Sequence, residues 1–307
     1  MEITLKKKTG EEYKIILDKQ RGIDISRKAV KMLQDKKPPF DKPEVIPEMI
    51  LPTGVGFGSL EQALFLFYAV GMDSSRNAAD LYKGVREMVW EAKDVKKILA
   101  MDEDELSNLF DNVMGLGESR TGGHDTPVKT LLQNNKMLIG EYGADPRNIC
   151  KATNDPDEII ERIRKFEQYG FGKAALLLKN YVKIGFAQLK DPFDYPIKVD
   201  RHVLRMSLGT GVLTIVPEGT YRTERLIPYL RKLYREICRE ERINPAELDD
   251  SQWVIGSKIC VKRRLSYCQT MECPLECRIH AKMDKKGSYI YTTKNRREEI
   301  PSLFKNE

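Results

Sequence analysis

No apolar run in this chain is long enough to cross a bilayer. The longest, Ala63–Val70, has eight residues, against the roughly 20 that a spanning helix needs. Met1 runs straight into MEITLKKK with no apolar stretch behind it, so a secretory leader is not expected. Tandem repeats and low-complexity tracts are also missing, which argues against a solenoid and against a disordered chain. The six cysteines include no Cys-x2-Cys pair, the spacing that marks most structural zinc sites. Without a leader, and at a length that needs no covalent staples, a disulfide framework fits poorly as well.

What is present is a crowd of cysteines at one end. Cys260, Cys268, Cys273 and Cys277 lie within 18 residues, with seven, four and three residues between them. Ligands so close in sequence lose little chain entropy when they close around one centre. Iron–sulfur clusters accept four thiolates at uneven spacing, so a [4Fe–4S] cluster is the expectation and zinc the alternative. Cys150 and Cys238 stand apart and read as small buried side chains.

The 307 residues leave room for two domains. Apolar residues make up 41%, enough for a core, and 32% are charged. The net charge of +6 is concentrated: Lys258–Lys286 carries eight basic residues against three acidic ones. Lys262, Arg263 and Arg264 head this basic loop, which suits a phosphate-binding surface or offsets the charge of thiolates and their cluster.

Alternation in residues 1–22 around Thr9-Gly10 predicts a small β hairpin. Residues 24–36 read as a helix, followed by a proline-marked connector from Pro38 to Pro52. From Ser59 the pattern is helical. Ser59 and Gln62 form a capping box ahead of an apolar helix over 60–70. Further helices are predicted over 74–90, 104–112 and 127–142, with a glycine-rich loop at 115–123. Asp155-Pro156-Asp157-Glu158 starts another helix, with Asp as N-cap and Pro in the first turn. Helices over 157–169 and 173–184 are joined at Tyr169-Gly170-Phe171-Gly172. The glycines allow a tight turn and leave N–H groups at the second helix free for a phosphate; a plain helical hairpin would look similar. Helices over 202–209 and 223–240 complete the reading: mainly α, with peripheral strands.

After an Asp- and Pro-rich linker comes Val199-Asp200-Arg201-His202-Val203-Leu204-Arg205, and a tryptophan-bearing stretch, Gln252–Cys260, leads into the cysteines. The order of hairpin, V-D-x-H-V-x-R and cysteine loop over residues 59–280 resembles the endonuclease III family of helix-hairpin-helix DNA glycosylases. Gly71–Asn77 is similar to that family's N-terminal helix junction. The resemblance implies a two-domain helix-hairpin-helix glycosylase fold, with a six-helix barrel-like domain (59–190) and an iron–sulfur cluster domain (24–58 plus 191–281). An N-terminal hairpin (1–23) and a basic tail (282–307) would lie outside these domains. It also implies a monomer in the cytoplasm, nucleoid-associated and off the membrane, acting on double-stranded DNA with a damaged or mismatched base.

The resemblance assigns residues by position. Asp200 is the expected catalytic carboxylate, since breaking an N-glycosidic bond builds positive charge on the sugar; its other reading is an N-cap for the next helix. Gly170, Phe171, Gly172, Lys173 and Arg205 would contact DNA, Arg205 pairing otherwise with an acid on a neighbouring helix. The flipped base needs a pocket, and Arg120, His124, Met72 and Asp73 are candidates to line it. His202 reads as a core histidine. The chain departs from the family in its cysteine intervals and in a longer stretch over Phe186–Tyr195. It also departs where lyase members carry a lysine, because Ala174 stands there with Lys173 before it. A monofunctional glycosylase is therefore expected; a glycosylase/AP lyase using Lys173, or a DNA-binding protein without turnover, is the alternative.

Overall fold

The computed structural model describes residues 1–7, 9–73, 78–92, 95–114, 127–260, 274–275, 277, 280–284 and 286–293. Its helices number twelve among these residues, with two three-stranded antiparallel sheets. The chain divides into two compact units, residues 46–192 and residues 1–45 with 193–307. The first 23 residues thus belong with the C-terminal part, and residues 46–58, expected beside the cysteines, belong with the helical unit.

The helical unit holds α2 (Leu60–Gly71), α3 (Ala78–Glu91), α4 (Val95–Ala100), α5 (Glu103–Met114), α6 (Pro127–Tyr142), α7 (Asn148–Lys151), α8 (Pro156–Ile163) and α9 (Phe171–Ile184). At its centre, α2 is buried from Gln62 to Val70, as a helix with eight consecutive apolar residues must be. Ser59 Oγ accepts the amide of Gln62 at 3.1 Å, and Gln62 Oε1 accepts that of Gly58 at 2.7 Å. This is the expected capping box with its return bond moved by one residue. α9 and α3 pack on α2, and α8 packs on α9.

The discontinuous unit begins with β1 (Glu2–Lys6) and β2 (Glu12–Leu17), paired as the predicted hairpin. β2 also pairs with β3 (Leu213–Val216), and its inward residues Tyr13, Ile15 and Leu17 are buried. Asp18 caps α1 (Lys19–Gln34) by accepting the amide of Arg21 at 2.8 Å. The other helices here are α10 (Arg201–Thr210), α11 (Ile227–Glu241) and α12 (Pro245–Val254), the last continuing into a π-helical turn at Ile255–Ile259. α1 packs on α11 and α12, and α10 on α12.

One sequence expectation is overturned at the C-terminal end. Within 282–307, expected as a tail, residues 282–283 and 289–293 lie in strands: β5 (His280–Met283) and β6 (Tyr289–Thr293) form a sheet with β4 (Gly219–Arg222) in the order β4-β6-β5. Lys282, counted among the basic surface residues, is 9% exposed within this sheet.

Candidate functional site

Two features carry chemistry, and each is built within its own unit. In the helical unit, α8 starts as the sequence predicts, with Asp155 accepting the amides of Asp157 and Glu158. It ends at Ile163, six residues before the expected end, and the chain crosses to α9 in consecutive turns. The left-handed position of this connection is Gln168 (φ 64°), not a glycine. Phe166 and Tyr169 are buried, and Phe67 stacks on Tyr169 with centroids 5.4 Å apart while meeting Phe166 edge-on at 5.0 Å. This aromatic packing outweighs helical periodicity at the end of α8.

Of the two roles expected of the hairpin glycines, the left-handed turn falls to Gln168, and the open approach to the start of α9 remains. Gly170 is the N-cap of α9 and supplies no side-chain cap. A Cβ placed on Gly170 or Gly172 would meet nothing within 4 Å. At Gly170 and Gly172 the start of α9 therefore has no side chain standing over its backbone, the openness that the close approach of a phosphate oxygen to a helix N-terminus requires.

Lys173 Nζ donates to the carbonyl oxygen of Gly71 at 2.6 Å, at the C-terminal end of α2. A cation there complements the partial negative charge of the last carbonyls. Tyr169 reaches the same helix end, its hydroxyl donating to the Phe67 carbonyl. A Cβ at Gly71 would stand 3.1 Å from the Tyr169 ring, so this junction needs glycine for close approach. Ala174, at the family's lysine position, is fully buried. Met72 and Asp73 follow the end of α2, half-buried; Arg120 and His124 lie outside the described residues.

The second feature is the start of α10. Residues 193–199 lead into it as an extended strap pinned at three points. Arg235 binds Asp194 Oδ1 at 2.7 Å, Arg242 lies 3.9 Å from the centre of the Phe193 ring, and Asp249 Oδ1 accepts the amide of Lys198 at 2.9 Å. The strap delivers Asp200 as N-cap of α10. Its Oδ1 accepts the amides of His202 at 2.8 Å and Val203 at 3.1 Å. Both capping bonds fall on one oxygen, and among the described residues Oδ2 has no hydrogen-bond partner. The two sequence readings of Asp200, cap and carboxylate, are thus compatible in one side chain.

Behind it, His202 meets Trp253 edge-on with centroids 6.2 Å apart. Burial holds its imidazole below the usual range, and Arg205 and Arg201 act in the same direction while the Asp200 charge opposes them. The histidine is half-buried rather than a satisfied core residue: Nε2 accepts from Arg201 Nε at 3.4 Å, while Nδ1 is buried with no hydrogen-bond partner among the described residues. A Cβ on Gly256 would sit 2.6 Å from the His202 carbonyl oxygen, so the π-helical turn lies against the backbone of α10. Arg205, expected at a phosphate, is only 7% exposed, which favours its other reading as a partner for protein groups.

Cys260 ends the π-helical turn half-exposed, and Cys277 is exposed. Cys268, Cys273, Lys262, Arg263 and Arg264 lie outside the described residues. Among the described residues no group of three or more His, Cys, Asp or Glu side chains is placed to hold a metal ion. The other two thiols do not compete as ligands: burial pushes both Cys150 and Cys238 up to about 12, far from the thiolate that a metal requires. The donor chemistry of Cys260 and Cys277, which reach solvent, suits the four-thiolate set read from the sequence.

Among the described residues no helix is long and apolar enough to cross a membrane. No protein-family model matches this chain, and no curated protein matches it either.

Proposed function

We propose that the protein is a monofunctional DNA glycosylase of the endonuclease III kind. It would hydrolyse the bond between C1′ and the base nitrogen of a damaged or mispaired nucleotide flipped out of duplex DNA. The observation that carries this reading is the Asp200 carboxylate, held by two amides through Oδ1 with Oδ2 left for a substrate. As the glycosidic bond breaks, its electron pair leaves with the base and positive charge develops on the sugar. Oδ2 of Asp200 stabilises that charge and orients a water molecule; the water oxygen bonds to C1′ and its proton passes to the departing base. The open backbone at Gly170 and Gly172, at the start of α9, holds a DNA phosphate.

Cys260, Cys268, Cys273 and Cys277 would hold a [4Fe–4S] cluster, which would supply a fold-ordering cross-link, while the basic residues of Lys258–Lys286 offset its negative charge and attract DNA. The lyase alternative is weakened because Lys173 Nζ is held by the Gly71 carbonyl and would have to leave it to reach a sugar carbon.

A panel of duplexes, each with one lesion or mismatch, tests the reading in single-turnover assays with and without alkali. Wild-type protein is expected to release one class of base and to leave strands that break only after alkali. Asp200→Asn keeps the capping oxygen and removes the charge, so base release should fall by about a hundredfold or more while DNA binding persists. An equally active variant would return Asp200 to the role of a cap. Covalent trapping by borohydride, lost in Lys173→Gln, would show a lyase instead.

A further inference from the structure

The start of α10 has a neighbour that the family pattern does not include. Between β5 and β6, the described residues Asp284 and Lys286–Ser288 form a turn whose Gly287 lies against Arg201, the residue after Asp200. Gly287 adopts φ 70°, and a Cβ there would sit 3.3 Å from Arg201 Cδ and 3.6 Å from Arg201 Cβ. The turn thus covers the aliphatic stem of Arg201, which remains exposed overall.

The turn is built rigidly. The Gly287 amide donates to the Asp284 carbonyl at 3.0 Å, and the Tyr289 amide to Asp284 Oδ1 at 2.8 Å. Thr223, next to β4, donates its hydroxyl to the Gly287 carbonyl at 2.7 Å and its amide to the Ser288 carbonyl at 3.0 Å. The acid of the turn, Asp284, is therefore turned inward and spent on a backbone amide. Lys286 and Ser288 face solvent. Neither Lys286 nor Arg201 has a carboxylate partner among the described residues, although cations elsewhere in this unit, such as Lys14, Lys19 and Arg27, are paired. Arg222 stands at the same end of the sheet, over the ring of Tyr289 at 5.7 Å and paired with the exposed Glu224 at 3.2 Å.

We propose that this turn, with Lys286, Ser288 and Arg201, is a docking surface for the sugar–phosphate backbone of duplex DNA beside the nucleotide that Asp200 addresses. The inference rests on the glycosylase reading. A sugar whose C1′ faces Asp200 carries its phosphates within one nucleotide of that point, so cations flanking Asp200 on the same compact unit meet them. Lys286, on a turn fixed by four hydrogen bonds, and Arg201, whose Nε donates to His202 Nε2 at 3.4 Å and whose stem lies under Gly287, have no carboxylate partner among the described residues and lose little freedom on binding. The surface reads charge and not base identity, so it acts on any duplex.

The test is a salt titration of binding to a fluorescein-labelled, undamaged duplex, followed by anisotropy. Lys286→Glu is compared with wild type and with Lys31→Glu, which makes the same charge change at an exposed helical site paired with Asp35. Lys286→Glu should weaken binding and lower the salt slope by about 1, the share of one phosphate contact. Lys286→Gln should give the slope change without the added repulsion, and serves if the reversed charge unsettles the turn. Lys286 variants that bind like Lys31→Glu, with the wild-type slope, overturn this inference alone. A wild-type protein that shows no salt-dependent binding to any duplex overturns the glycosylase reading and this inference with it.

Discussion

Gly172 isolates one consequence of a missing side chain. Its backbone is ordinary helix and its absent Cβ faces open space, so Gly172→Ala should leave the unfolding midpoint unchanged or raise stability by up to about 1 kcal/mol. If a phosphate approaches here, the added methyl group removes a charge-assisted bond from the backbone, about 1.5 kcal/mol or about tenfold in Kd. Parallel measurements of thermal unfolding and duplex binding check this; a variant that binds as wild type means that the bare backbone is not a contact. Gly256 is the opposite kind of glycine, closed in by the His202 carbonyl, and a methyl group there would report on packing alone. Sequence cannot separate the two, because both stand in helical stretches and only the tertiary neighbour differs.

At the scale of elements, buried polarity joins the helical unit internally. Glu48, in the 3-10 turn Pro47–Met49, pairs with Lys179 of α9 at 3.0 Å, and both side chains are buried. The Tyr82 hydroxyl on α3 lies in the same surroundings; burial pushes it well above its ordinary value, and the charges of Glu48 and Asp73 push it further. Removing one ion of such a pair strands the other. Lys179→Met should therefore cost about 3–5 kcal/mol in urea unfolding, while Glu48→Leu with Lys179→Met recovers most of the loss. Additive losses in the double variant would mean that the pair is not coupled. Helices were legible in the sequence where their signals are local. α6 spans 127–142 as read, and α2 and α8 start at the caps that Ser59 and Asp155 announce. The end of α8 was not, because Phe166 and Tyr169 are held by residues about a hundred positions away in sequence. Nor were β3 to β6: strands of four or five residues carry little alternation, and their partners are remote. The same division holds for the candidate site. Asp200 and the hairpin glycines are visible as linear motifs, whereas the pins of the strap, Arg235, Arg242 and Asp249, come from 41 to 51 residues downstream of the residues they hold.

For the whole molecule, the four-cysteine reading has the most direct check. Purified protein should be yellow-brown with about four irons per chain, and Cys268→Ser should lose the colour. A colourless protein with one zinc would install the alternative metal. Removing the metal should loosen Cys260–Cys277 before the helical unit, since all four ligands fall in that one stretch. The division of the chain has a further consequence, for the order in which the polypeptide is made. Residues 46–192 form one unit without interruption, and the other is assembled from both flanks. On a ribosome, the inner unit emerges with every contact partner already synthesised. The first 45 residues emerge earlier still and must wait: the inner edge of β2 pairs with Leu213–Val216, and the face of α1 closes only when α11 and α12 arrive. An amphipathic helix and an open strand edge thus emerge well over a hundred residues before the surfaces that will cover them, and a chaperone that holds apolar faces has its target there in the interval.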